Sequence, residues 1–240
     1  MADARCRMPD AGWRIGPMRN AVIFQEQVEV PLDLQSLSDF RRWAVSDDFP
    51  DRGRIDYIAG RIEVDMSPED LFCHGTLKTE VVTVLGQRVK TLGHLFTDST
   101  RVSCANANLS AEPDIVFVAT QSIVEGRVRL IPKQTGEPGR YIELEGAPDL
   151  VVEIVSDASV NKDTYRLPRA YDEAGVREFW LADARGETMV FQIHRPGKSG
   201  YEAAEIDAAG FQLSTLFSCR FRLDRRSDPQ GWWRFDLRSE

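Results

Sequence analysis

Several things are missing from this 240-residue chain, and each absence removes a class of function. No apolar run approaches the roughly 20 residues that a membrane-spanning helix needs. The first twenty residues carry three arginines before position 15 but no apolar segment of the kind a signal peptide has. The four cysteines, Cys6, Cys73, Cys104 and Cys219, make no CxxC pair. Their spacing suits neither a zinc site nor a disulfide framework, and reads as reduced thiols in a cytoplasmic protein. There is no GxSxG nucleophile elbow and no complete GxxxxGK[ST] phosphate loop. A basic excess is missing too. Thirty lysines and arginines face 38 aspartates and glutamates, a net charge of -8. That argues against a protein that coats nucleic acid through a basic face. It leaves room for an enzyme that meets DNA at a local patch, with a divalent ion between the anions.

What is present reads as one globular domain over residues 31–223, with an extension over 1–30 and a tail over 224–240. Alternation from Val22 to Val30 predicts a short strand. Ser36 or Ser38 caps a helix carrying Leu37, Phe40 and Ala44 on one face. Residues 56–65 form a hairpin turning at Ala59-Gly60. Met66-Ser-Pro-Glu-Asp leads into a long helix over about 74–92, with Leu77, Val81, Val84, Leu85, Val89 and Leu92 at helical spacing. Short strands follow at 102–104 and 113–118, and residues 124–131 turn at Glu125-Gly126. Pro148-Asp-Leu-Val-Val-Glu-Ile-Val-Ser is nearly all apolar between polar ends, as in a central strand buried on both faces. The next helix carries Pro168 in its first turn and stops at Gly175. A hairpin over 178–183 and 188–194 turns at Arg185-Gly186, and 201–223 is strand-like in pieces. The order predicts an α/β domain, a mixed sheet flanked by helices.

Two strands begin alike, at Pro113-Asp114 and Pro148-Asp149, and the second holds Glu153 among Val151, Val152, Ile154 and Val155. A carboxylate in such company needs a cation, a metal or a hydrogen-bond donor. Pairing Glu153 with Asp114 from a neighbouring strand makes a site for Mg²⁺, which takes one or two carboxylates and keeps several waters. Lys162, nine residues after Glu153, brings an ammonium to a water or a scissile phosphate. Asp149 reads as a turn or cap residue. Tyr171, Phe179 and Trp180 read as packing. The arginines and aromatics of 219–226 and 232–235 read as a packed strand, with a grip on nucleic acid as the alternative.

Pro113-Asp-Ile-Val-Phe-Val, Pro148-Asp-Leu-Val-Val-Glu-Ile-Val-Ser, Lys162-Asp163, Tyr171 and Gly175-Val-Arg-Glu-Phe-Trp-Leu-Ala-Asp together resemble the Uma2 family, a restriction-endonuclease-like branch of the PD-(D/E)XK nucleases. Ile58-Ala-Gly-Arg-Ile-Glu-Val-Asp-Met-Ser-Pro and the helix opening at His74 add to the likeness, which runs from about Leu37 to His194. The resemblance implies a restriction-endonuclease-like mixed sheet and an endonuclease that hydrolyses DNA phosphodiester bonds. Asp114 and Glu153 would hold Mg²⁺ or Mn²⁺, and a lysine would activate water. It implies a homodimer as well. His74 matches a family position near the metal, and Glu80, six residues on, is a candidate extra carboxylate. The strand position two after Glu153 is Val155, not lysine. The family's commonest pattern puts this lysine in the next helix, four after the aspartate, where this chain has Leu167. Lys162 is then the nearest substitute. Leu167 also motivates the alternative, a dimeric accessory protein that kept the fold without turnover.

Overall fold

The computed structural model describes residues 30–240. The strand expected over Val22–Val30, and nearly all of the N-terminal extension, lie outside the described residues.

Helix α1, Leu37–Ala44, is capped by Ser36, whose hydroxyl accepts the Asp39 N–H, and it buries Leu37, Phe40 and Trp43. Strands β1, Arg54–Ile58, and β2, Arg61–Asp65, form the expected hairpin. Its two turn residues, Ala59 and Gly60, have φ of +49° and +84°. That tight turn matches the twist of the strands it joins. A π-helical turn, Leu71–Thr76, runs into α2, Leu77–Val89. The helix expected to begin at His74 thus opens with a wider turn, and Leu92 lies beyond its end, 49% exposed. Four more strands follow: β3, Gly93–Thr97; β4, Arg101–Cys104; β5, Leu109–Ala111; and β6, Ile115–Ala119. Short helix α3, Thr120–Val124, precedes the expected turn at Glu125-Gly126, where Gly126 has φ +74°. Strands β7, Val128–Pro132, and β8, Tyr141–Gly146, precede the central β9, Leu150–Ile154. A second π-helical turn, Lys162–Arg166, enters α4, Leu167–Ala174, which ends at Gly175 with φ +88°. Strands β10, Glu178–Asp183, and β11, Val190–Pro196, make the expected hairpin. The chain finishes with β12, Tyr201–Ala203; β13, Gln212–Ser214; β14, Cys219–Ser227; and β15, Trp233–Ser239.

Three sheets result. The central one has the order β12-β11-β10-β9-β6-β3, with β9 and β10 parallel and the other neighbours antiparallel. The second has the order β2-β1-β5-β4-β8-β7, and the third is β13-β14-β15. Alternation along β9 explains the layering. Leu150, Val152 and Ile154 join Leu77, Val81 and Leu85 of α2 and Phe221, Leu223 and Phe235 of the small sheet in one core. Val151 faces the other way, into a core with Leu109, Val102 and Leu144 of the second sheet and Leu167, Ala170 and Tyr171 of α4. Every residue of β9 is buried, as a strand covered on both faces requires. The stretch read from sequence as a tail, 224–240, completes β14 and supplies β15, whose Phe235 and Leu237 enter the first core. The Arg-aromatic segment is therefore packing in the main: Arg225 lies over the Trp233 ring at 4.3 Å.

Candidate active site

Strand register brings the two sequence-chosen carboxylates together. Ile115 pairs with Val152 across the antiparallel β6–β9 ladder, so one residue further Asp114 stands opposite Glu153. Period-two alternation then puts both on the face of Val116 and Val151, toward α4 and the second sheet. Asp114 is fully buried and Glu153 is 1% exposed.

Asp114 is tied from several sides. Its Oδ2 accepts the Ile154 N–H at 2.8 Å and its Oδ1 accepts from Arg54 Nη2 at 2.9 Å. His74 Nε2 lies 3.4 Å from Oδ2, and Lys78 Nζ lies 3.5 Å from Oδ1. His74 comes from the first π turn and Lys78 from one turn further on, so four-residue spacing sets both on one helix side. Burial raises the acid's pKa, but the His74 contact and the Arg54 and Lys78 charges outweigh it and hold Asp114 well below the usual carboxylate range.

Glu153 is treated oppositely. One oxygen accepts the Tyr171 hydroxyl at 2.6 Å, and the other, Oε2, is buried without a hydrogen-bond partner. Burial, then the nearby charges of Asp163 and Asp114, push its pKa well above the ordinary value. Asp163, from the second π turn, accepts from Ser159 while its Oδ1 is also buried and unpartnered. Burial drives its pKa up to about 6. Lys162, 5% exposed, is no solvated loop lysine. Its ammonium donates to Asp56 Oδ2 at 3.0 Å, and Asp56 Oδ1 accepts the Glu112 N–H at 2.9 Å. Burial lowers its pKa, and the charges of Asp56 and Glu153 more than restore it.

The other sequence-chosen residues go elsewhere. Glu80 does not join this group: its carboxylate accepts the Leu237 N–H at 3.0 Å and pins β15 to α2. Asp149 is a fully buried clasp, accepting from Ala119 N–H, the Ser122 hydroxyl and Arg127 and ion-paired with Arg177. Leu167, where a helix lysine was sought, is 1% exposed in the core against α4's neighbours. The sequence assigns no site role to Arg54, Asp56, Glu69, Lys78 or Asp163, and Tyr171, read there as packing, also donates its hydroxyl to Glu153. Arg54 and Asp56 did carry a signal, as charges in the apolar strand Arg-Ile-Asp-Tyr-Ile.

The residues fit a divalent cation. Five acids, Asp56, Glu69, Asp114, Glu153 and Asp163, stand beside three obligate cations, Arg54, Lys78 and Lys162, and this crowding of acids is part of what raises the pKa of Glu153. Two buried carboxylate oxygens have no donor, and an oxygen-rich donor set is what Mg²⁺ and Mn²⁺ select. Glu69, His74 and Asp114 also bring ligand atoms within 4.8 Å of one another. Lys78 Nζ already sits there, 3.1 Å from Glu69 and 3.5 Å from Asp114, so the unmet demand lies at Glu153 and Asp163.

A mixed central sheet with a carboxylate pair at the junction of two strands defines a restriction-endonuclease-like α/β domain. A family model described as "Uma2: Putative restriction endonuclease" matches residues 37–225, and the chain belongs to that family. Among solved structures, a crystal structure described as a putative nuclease belonging to DUF820 from Anabaena variabilis is similar, with a TM-score of 0.55 and 22% identity. The match covers 76% of this chain and 90% of that one. At that identity it speaks to the fold. No curated protein matches the chain. Membership of that family supports a nuclease function in general. No helix among the described residues is long and apolar enough to cross a membrane.

Proposed function

We propose that this protein is a divalent-metal-dependent endonuclease that hydrolyses DNA phosphodiester bonds. The observation that carries the reading is the buried, unpartnered Glu153 Oε2 opposite Asp114, in a site where acids outnumber obligate cations. A Mg²⁺ or Mn²⁺ ion bound there supplies Lewis acidity and a lowered pKa for bound water. Asp114 and Glu153 hold it. The Ile154 N–H and Arg54 keep Asp114 aimed and ionised. Tyr171 orients Glu153 through its hydroxyl. Lys162, positioned by Asp56, orients the attacking water and offsets charge as it builds on the phosphate. Cutting both strands of a duplex calls for two such sites, and on that ground we propose a homodimer, which sedimentation velocity at micromolar protein would read.

The test is nicking of supercoiled plasmid in Mg²⁺ or Mn²⁺ by wild type, Glu153→Ala and Lys162→Ala. Cutting by wild type that both substitutions abolish supports the whole assignment. Cutting that survives Lys162→Ala alone keeps the carboxylate site and removes the lysine from it. Absence of cutting with either ion, all three proteins folded, favours the accessory protein, the reading that Leu167 motivated.

A further inference from the structure

At the mouth of the site three nitrogen-bearing side chains, two from one helical run and one from strand β1, converge on one carboxylate. Lys78 Nζ lies 3.1 and 3.4 Å from the two oxygens of Glu69. His74 Nδ1 lies 3.2 Å from Oε2, and Arg54 Nη2 lies 4.0 Å from Oε1. The donors belong to the fold. His74 is 3% and Lys78 8% exposed, and Arg54 opens strand β1. The acid comes from outside: Glu69 lies in the exposed strap Met66–Asp70, with its side chain 48% exposed. In an ordinary surface ion pair both partners face water. Here a half-exposed carboxylate plugs a set of donors of which His74 and Lys78 are buried.

The plug fits imperfectly. His74 Nδ1 is buried and makes no directional hydrogen bond, although Glu69 Oε2 is 3.2 Å away. A planar carboxylate presents two oxygens in one plane, whereas a phosphate presents oxygens tetrahedrally and can meet donors arriving from three directions. Arg54 and Lys78 also reach Asp114, at 2.9 and 3.5 Å, so an anion on this seat would lie beside the carboxylate pair. Lys78 has one further acid on it, the exposed Asp98 at 2.7 Å. A cavity of about 360 Å³ is lined by Arg54, His74 and Glu69, with Asp65, Asp98 and Glu112 also on its wall, and leads outward past the strap.

We propose that Arg54, His74 and Lys78 form a seat for a backbone phosphate of nucleic acid, and that Glu69 is an internal stand-in for that phosphate which the substrate must displace. The identity of the anion rests on the nuclease reading. The seat itself rests on the convergence of donors and on the unmet His74 nitrogen. The strap is then autoinhibitory, and displacement of Glu69 selects ligands whose phosphate competes with a tethered carboxylate.

The experiment measures binding without cleavage. A fluorescein-labelled 16-bp duplex is titrated in EDTA against wild type, Glu69→Gln and Glu69→Ala, with thermal midpoints recorded alongside. Removing the stand-in tightens binding about tenfold, a change of about 1.4 kcal/mol. It also steepens the dependence of log K on log salt by about one phosphate contact. Adding Lys78→Gln to Glu69→Gln abolishes the gain. Should that double variant fail to fold, the two Glu69 variants decide the matter alone. Unchanged or weaker binding by both folded Glu69 variants overturns the proposal. So does a loss of Mn²⁺ affinity in Glu69→Gln, which would make Glu69 a metal ligand. The two readings fail separately. A tighter duplex complex in a protein that never cuts plasmid keeps the seat and removes the nuclease. Plasmid cutting with no change in duplex affinity keeps the nuclease and removes the seat.

Discussion

The central sheet buries two sets of carboxylates, and they are treated differently. Asp149 and Glu178 enter the sheet at the starts of β9 and β10, both fully buried. Asp149 accepts from a backbone N–H, a serine hydroxyl and Arg127, and pairs with the charge of Arg177. Glu178 accepts from Trp180 Nε1, the Ser214 and Thr215 hydroxyls and the Leu216 N–H, so both its oxygens are doubly served. A few residues away, Glu153 and Asp163 are as deeply buried and each keeps an oxygen with no donor. Burial alone therefore does not mark a functional acid. The first set closes its hydrogen bonds within the fold and staples strands to loops. The second leaves a demand that the protein does not meet, and a site built to receive something is where such a demand is tolerated.

Substitution should separate the two sets. The largest effect is expected from Glu153→Gln. Plasmid nicking should fall on the order of 10²–10³-fold, the scale of losing one electrostatic group at a reacting centre, while the thermal midpoint of the metal-free protein does not fall. A clear drop in that midpoint would put Glu153 with the staples. Asp149→Ala should do the reverse, costing about 1–3 kcal/mol by leaving the Ala119 N–H and the buried Ser122 hydroxyl without their acceptor. Urea melts would show it, and nicking per folded molecule should be unchanged.

Metal should act on one set only. At about a hundredfold excess over its Kd, Mn²⁺ should stabilise wild type by about 2.7 kcal/mol and leave Glu153→Gln unmoved. Calorimetric midpoints with and without EDTA decide this. Equal stabilisation of both proteins would place the ion elsewhere.

The smallest effect is a pH dependence. Asp163 has its pKa raised to about 6 in the fold, against about 3.9 for an unfolded aspartate. Between those values the native protein binds the extra proton, so metal-free stability should rise as pH falls from 7 toward 4, by on the order of 2 kcal/mol. Below about pH 4 the depressed Asp114 works the other way and stability is lost. Glu153, whose pKa is also raised, works in the same direction, so Asp163→Asn should reduce the rise and keep the acid-side loss. A flat wild-type curve in denaturant melts between pH 5 and 7 would show that the crowding of Asp163 is relieved within the fold.

Much of this was legible in the chain. The hairpin at Ala59-Gly60, the doubly buried β9 and the helix stop at Gly175 each follow from local rules about turn geometry, alternation and positive φ. Glu153 stood out because a charge in an apolar strand must be answered. Glu80 misled because a glutamate on a helix looks the same whether it faces a metal or an incoming strand. Its true partner, the Leu237 N–H, is 157 residues away in a segment taken for a tail. The two π-helical turns were invisible, since no residue pattern distinguishes a π turn from the first turn of an α-helix. Yet they deliver His74, Lys162 and Asp163.

The amino-acid sequence by itself determined the elements whose causes are local, and it named Asp114 and Glu153, because alternation and the cost of burying a charge act within a few residues. Only the tertiary structure decided which acids are satisfied. That depends on donors arriving from Tyr171, Arg54, Lys78 and Leu237, and long-range packing alone sets where those meet.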